Sequence, residues 1–282
     1  MKPQSDDLPS DTDAIACPPS IDGVASDERR FGGVARLYGE AGLERLRAAH
    51  VAIVGLGGVG SWVVEACARS GVGQLTLIDL DHVSESNVNR QSHALESTLG
   101  AAKAAVLAAR VADINPRCVV HTIEEFVEVD NLGLLVPAER FDCVVDAIDQ
   151  VRSKIALIAH CRSHGIGIVT IGGAGGRTDA SRVRVADLAH TLQEPMLAKV
   201  RKNLRTHHGF SRDVRKPFGI PAVFSDQPLR GNEADVLATG EGTTGLNCAG
   251  LGSLVSVTAV FGFVAAGLLL DRLARGQRCR DG

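Results

Sequence analysis

The sequence predicts a doubly wound α/β fold on a mostly parallel sheet, with a C-terminal extension, and three observations carry that prediction. Short, wholly apolar runs alternate with segments of helical periodicity from residue 50 to residue 171. The first run leads directly into a glycine turn, VAIVGLGGVGSW, from Val51 to Trp62. Polar residues follow successive runs at the same end, which suits a sheet covered on both faces whose ligands lie beyond the carboxyl ends of its strands.

Taken in order, residues 1–27 are polar, acidic and proline-containing and read as a disordered N-terminal arm without a secretory h-region. ERRFGGVARLYGEAGLERLRAAH then forms a helix-rich lead-in. A strand over 51–54 is followed by a helix from about Val59 to Ser70 and a strand over 75–79. A long polar excursion over 80–100 precedes a helix from about Ala101 to Ile114. Next come a strand at 118–123, a short helix near 130–136, a strand at 143–146, a helix at 151–163 and a strand at 166–171. Beyond Thr178 the alternation is lost, and no internal repeat is visible. The chain therefore divides into the arm, a nucleotide-binding domain over 28–180, and a part over 181–282 belonging to the same fold.

Apolar content of 45% and charged content of 22% over 282 residues are ordinary for a globular chain. A net charge of −3 excludes a globally basic nucleic-acid binder but leaves room for a local basic patch. Seven cysteines, none in a C-x-x-C pair, argue for a reducing compartment and against a structural zinc site, so the cytoplasm is the expected location. Gly242 to Leu270 carries no charge and is long enough for a membrane span. The interspersed Gly250, Gly252, Gly262 and Gly267, with Ser253, Ser256 and Thr258, weaken its hydropathy and favour a buried helix over membrane association through 246–270.

Gly55, Gly57 and Gly60 have the spacing that lets backbone N–H groups meet a phosphate at a helix N-terminus. Asp79 ends the second strand, where a carboxylate accepts from a ribose diol, in dehydrogenases and ATP-users alike. The discriminating residues come later. Asn87, Asn89, Arg90 and Gln91 lie on one polar loop, and Lys103 opens the next helix. Hydride transfer has no need of cations near the phosphates, whereas expelling pyrophosphate does. Asp149 supplies a carboxylate for a magnesium ion bridging phosphates.

GLGGVGS, IDLD, NVNRQ, GAAKA and DAIDQVRSK resemble, in that order, the motif series of the E1-like adenylating enzymes of the ThiF/MoeB superfamily. RFGGVARLYG, TIGGAGG, VADLA and NCAGLGSLVSVTAVFGFVA extend the likeness to the branch that dehydrates N6-threonylcarbamoyladenosine at tRNA position 37. That resemblance implies a Rossmann-like ThiF fold and an ATP-dependent ring closure through an activated threonyl carboxylate. It implies that Gly55, Gly57, Gly58 and Gly60 cradle ATP phosphates and that Asp79 with Asp81 binds the ribose. Asn89, Arg90, Gln91 and Lys103 would hold the triphosphate, and Asp149 would position Mg2+. It further implies a homodimer whose Arg36, with Arg30 as second candidate, reaches the partner's ATP site. A monovalent cation near the TIGGAGG turn and a cysteine-desulfurase or sulfur-acceptor partner belong to the same set of expectations.

Lys199 to Lys216 carries seven Lys/Arg residues and one acid, with His207, His208 and Phe210 interleaved. Lys199, Arg201, Lys202, Arg205, His207, Arg212, Arg215 and Lys216 are the candidate tRNA contacts, since cations grip phosphates and rings stack on unpaired bases. The alternative is adenylation of the C-terminus of a ubiquitin-like sulfur carrier. The absent C-x-x-C and the basic segment count against it. A Rossmann oxidoreductase or an idle nucleotide-binding scaffold is disfavoured by NVNRQ and Lys103. Cys248, among small apolar neighbours, reads as an inert buried thiol rather than a sulfur carrier.

Overall fold

The computed structural model describes residues 23–229 and 251–277. Helix α1 (Gly23–Ala48) leads in and is interrupted at Gly39, whose φ of 76° breaks the helical run. Its first residues fall inside the segment read as an arm. Then follow β1 (His50–Val54), α2 (Gly60–Arg69), β2 (Gln74–Ile78), α3 (Lys103–Ile114) and β3 (Val119–Ile123). The short α4 (Leu132–Leu135), β4 (Cys143–Asp146), α5 (Val151–His164) and β5 (Ile168–Ile171) complete the alternating part.

One sheet of seven strands results, in the order β3-β2-β1-β4-β5-β7-β6. Two of these strands, β6 (Val183–Asp187) and β7 (Pro221–Ser225), come from the stretch where the sequence shows no alternation, with α6 (Pro195–His207) between them. β7 runs parallel beside β5, and β6 returns antiparallel as the edge. The edge explains why β6 escapes a pattern search: its half-exposed VRVAD carries Arg184 and Asp187 where a central strand would be apolar.

Neighbouring residues of each central strand serve opposite faces. Val51 and Ile53 enter one core with α2 and α3, whereas Ala52 and Val54 enter the other with α4, α5 and α6. The order reverses between β1 and β4, the switch point at which such sheets open a crevice above their carboxyl ends.

The final helix, α7 (Val255–Ala274), is long and apolar enough to cross a membrane by length and composition alone. Its stripe of Val257, Phe261, Ala265, Leu269 and Leu273 lies in the first core, packed against α1 and α2. Gly262 permits this approach: a Cβ there would stand 2.7 Å from the Val59 carbonyl oxygen and 2.8 Å from Trp62 Cβ.

Candidate active site

The glycine turn at the end of β1 is closed tightly by its own backbone. Gly55 adopts φ 87°, and a Cβ on Gly60 would fall 1.8 Å from the Gly55 carbonyl oxygen. Side chains are excluded there by contact, as a phosphate-cradling turn requires. Asp79, at the end of the neighbouring β2, braces the turn: its carboxylate accepts from Leu56 N at 2.6 Å and from Asp81 N at 2.9 Å. Burial raises its pKa from the ordinary carboxylate value, and the Lys103 charge opposes that shift. Lys103 is 5% exposed and donates to Asp81 Oδ2 at 2.8 Å, so α3 delivers its first residue to the same crevice.

The polar excursion folds back onto α2. Trp62 donates its indole N–H to the Arg90 carbonyl at 2.9 Å, and Ser92 N donates to Ser61 Oγ at 3.3 Å. Asn87 is buried and accepts from Ser84 N, shaping the loop rather than facing the crevice. Arg90 donates to the Ser86 carbonyl and to Asn89 Oδ1, and its methylenes cover Gly58. Asn89 reaches the other way, donating to the Ser253 carbonyl before α7 at 2.9 Å. Gln91 is buried beside Gly57, and its Oε1 has no partner among the described residues.

Two cavities open above the strand ends and share the wall Ala147–Asp149 that follows β4. The first is lined by Gly55, Gly57, Asp79, Asp81, Lys103, Phe126 and Asp149. The second is lined by Gly58, Arg90, Asp149, the Gly172–Gly175 turn, Arg177 and Glu194, with apolar sides from Met196, Leu229 and Leu251. The Asp149 pKa is raised, first by burial of its carboxyl and also by the facing Asp81 charge. Among the described residues no cluster of three or more His, Cys, Asp or Glu could hold a metal unaided. The donor set instead suits an ion held by one carboxylate and a ligand's phosphates.

Arg36 is exposed on α1 and lines neither cavity of its own chain; Arg30 donates to the Ile114 carbonyl at 2.9 Å. In the basic segment Lys199, Lys202, His207, Arg212, Arg215 and Lys216 are exposed. Two others turn inward. Arg201 donates to Thr191 Oγ1, and Arg205 donates to the Ser211 carbonyl and lies 5.1 Å from the Phe218 ring centre. Phe210 packs edge-on against that same ring at 4.9 Å. Cys67, Cys118, Cys143 and Cys161 are buried thiols, with burial pushing Cys67 and Cys118 up to about 12. Cys248 lies outside the described residues.

Several buried groups beneath the site carry no site assignment from the sequence. Lys154 and Asp146 are both fully buried and paired at 2.7 Å, with Thr170 donating to the same carboxylate at 2.7 Å. Lys154 lies five residues after Asp149 in DAIDQVRSK, so its spacing was a usable signal. Arg177 directly follows TIGGAGG, a similar signal, whereas Glu194 had none, because it meets the site only where α6 packs against the turn after β5. Glu194 is 5% exposed, and burial raises its pKa above the ordinary value.

The family profile described as "ThiF family" matches residues 32–277. A tRNA threonylcarbamoyladenosine dehydratase of Haemophilus influenzae is 46% identical over 249 residues, covering 88% of this chain and 94% of that protein. The crystal structure of E. coli tRNA N6-threonylcarbamoyladenosine dehydratase, TcdA, in complex with ATP superposes with a TM-score of 0.80 at 42% identity. It covers 92% of this chain and 98% of that one, as does the complex of the same enzyme with AMP, also at TM-score 0.80 and 42% identity.

Proposed function

The chain belongs to the ThiF family, and we propose that it is an ATP-dependent dehydratase closing N6-threonylcarbamoyladenosine at tRNA position 37 into its cyclic form. The carrying observation is similarity to a dehydratase of that name over nearly the full length of both chains. The two cavities meeting at Asp149 agree with a reaction that joins a nucleotide to a second substrate.

A carboxylate is a poor electrophile until one oxygen becomes a good leaving group. ATP supplies that group by making the threonyl carboxylate an acyl-adenylate, and the neighbouring carbamoyl group then attacks the acyl carbon, with net loss of water. The nucleophile is tethered to its target, so orientation contributes much of the rate. In this reading ATP occupies the first cavity and reaches the wall it shares with the second, with Gly55, Gly57, Gly58 and Gly60 at the phosphates and Asp79 and Asp81 at the ribose. Lys103 from the first cavity and Arg90 from the edge of the second would neutralise the triphosphate, and the amides of Asn89 and Gln91, on the same loop as Arg90, would help to hold it. Asp149, at the shared wall, would hold Mg2+ against the phosphates, and the metal would withdraw charge from the leaving pyrophosphate.

The modified nucleoside enters the second cavity. α6 begins at that cavity with Pro195 and Met196 and carries Lys199 and Lys202 outward, a course that fits an RNA backbone leading away from the site. A homodimer in which Arg36 completes the partner's site is part of the proposal, since Arg36 is exposed and lines neither of its own chain's cavities.

Mass spectrometry of nucleosides from tRNA incubated with the enzyme, ATP and Mg2+ tests the reading. A loss of mass equal to one water at the modified adenosine is the expected result. ATP–pyrophosphate exchange stimulated by a sulfur-carrier protein and not by tRNA would support the alternative.

A further inference from the structure

Glu194 precedes α6, lines the second cavity and is absent from the first. Its carboxylate accepts from Gly173 N at 3.1 Å, in the turn after β5, and from Leu197 N in the first turn of α6. A carboxylate offers about four acceptor positions, so these two bonds leave it capacity on the cavity side. Helix capping alone calls for a short side chain such as Ser, Asp or Asn. A longer Glu at this position spans from α6 to the Gly172–Gly173 backbone, which packs against its methylenes.

Ring closure has an unassigned requirement. Whichever urea atom bonds to the acyl carbon, one N–H proton must leave for the cyclic product to be neutral. Asp149 stands at the wall facing the phosphates and is occupied there by the proposed metal. Glu194 is the carboxylate on the acceptor side alone, among the described residues that line the two cavities.

We propose that Glu194 is the general base of the cyclisation, an assignment that rests on the dehydratase reading above. The urea-to-acyl-carbon bond forms, the acyl C–O bond to the phosphate breaks, and the electron pair leaves with AMP. The N–H proton passes to the Glu194 carboxylate and from there to solvent. Burial makes this carboxylate a stronger base than a solvated glutamate, as a general base working near neutral pH should be. The cations facing it, Arg177 after β5, Lys154 on α5 and Arg201 on α6, counter that shift and favour its ionised form.

The test separates activation from closure on the full-length protein with ATP, Mg2+ and tRNA bearing the modified adenosine. tRNA-dependent ATP–pyrophosphate exchange reads activation, and single-turnover appearance of the cyclic nucleoside reads closure. Glu194→Gln should slow closure by about 10²-fold or more beyond any loss in exchange. The rise of the wild-type closure rate with pH should vanish in that variant. Glu194→Asp keeps a carboxylate and should close faster than Glu194→Gln. Closure by Glu194→Gln at the wild-type rate would overturn the assignment. So would parallel loss of exchange and closure in both variants, the signature of a cap. A wild-type protein that neither exchanges nor cyclises sinks the dehydratase reading itself, a failure visible before any variant is made.

Discussion

The two cavities flanking Asp149 are assembled in opposite ways. The first draws on β1, β2, β3 and β4, whose contributing residues mostly sit at or just past a strand end, together with Lys103 at the start of α3. Its lining is polar, and its shape follows from a glycine turn that tolerates no Cβ. The second draws on positions 58, 90, 149, 172–175, 177, 194, 229 and 251, brought together by sheet order rather than by chain proximity. In the proposed reading, nucleotide binding is thus a local property of strand–turn–helix units, whereas the second cavity exists only once β5, β7 and α7 have packed. A carboxylate and a buried ion pair join the two.

Removing the shared carboxylate should erase the distinction. Asp149→Ala is expected to lower both exchange and closure by about 10³-fold while leaving the thermal midpoint near wild type. Loss confined to one reaction would assign Asp149 to one cavity only. Next in size is the ion pair beneath both. Lys154→Met leaves the buried Asp146 carboxylate without its cation, at a cost of about 3–5 kcal/mol in urea unfolding. A cost under about 1 kcal/mol would show that the shared floor does not depend on the pair.

Acid should act through two buried histidines in different places. His93 is 1% exposed within reach of the Lys103 charge on the first cavity's side, and neither ring nitrogen has a partner among the described residues. His50 is at the opposite end of the sheet, its Nε2 sharing a 2.8 Å hydrogen bond with Thr76 Oγ1. Burial lowers both from 6.5 to about 4, with the cations Lys103 and Arg110 helping at His93 and Arg140 and His121 at His50. A folded-state pKa below the unfolded value means that the unfolded chain takes up protons first as pH falls. Stability from these groups is complete above pH 6.5 and declines toward pH 4, by about 2 kcal/mol each between pH 7 and 5. His93→Leu should remove about half of that decline in denaturant titrations at the two pH values. An unchanged decline would place the sensitivity away from His93.

The smallest effect sharpens the comparison most. Leu229 lines only the second cavity and is half-buried. Leu229→Trp should raise the KM for tRNA by about fivefold, roughly 1 kcal/mol. ATP affinity should stay within about twofold. Equal losses for both ligands would mean that the cavities are not separable.

Much of this was legible in the chain. β1, β2, β4 and β5 were readable because central parallel strands are mostly apolar, and β4 lies at 143–146 as its pattern predicts. Other boundaries shifted by a residue or two, where helix ends fray. β6 was hidden by the charged residues an edge strand carries, and β7 by the surrounding irregular segment. Asp79, Arg90, Lys103 and Asp149 were legible because each follows a recognisable local element. Composition could not sort the arginines of 199–216, where Arg201 and Arg205 turn into the protein while Lys199 and Lys202 point outward.

By itself the sequence determined the alternating sheet, the tight glycine turn and the polar loop after it, because strand propensity, glycine geometry and motif spacing act over a few residues. The tertiary structure alone decided that Glu194 and Gly173 meet, that Lys154 neutralises Asp146, and that the apolar run of α7 faces α2. Those contacts depend on which strand lies beside which, and strand order arises from long-range packing that no short window of sequence contains.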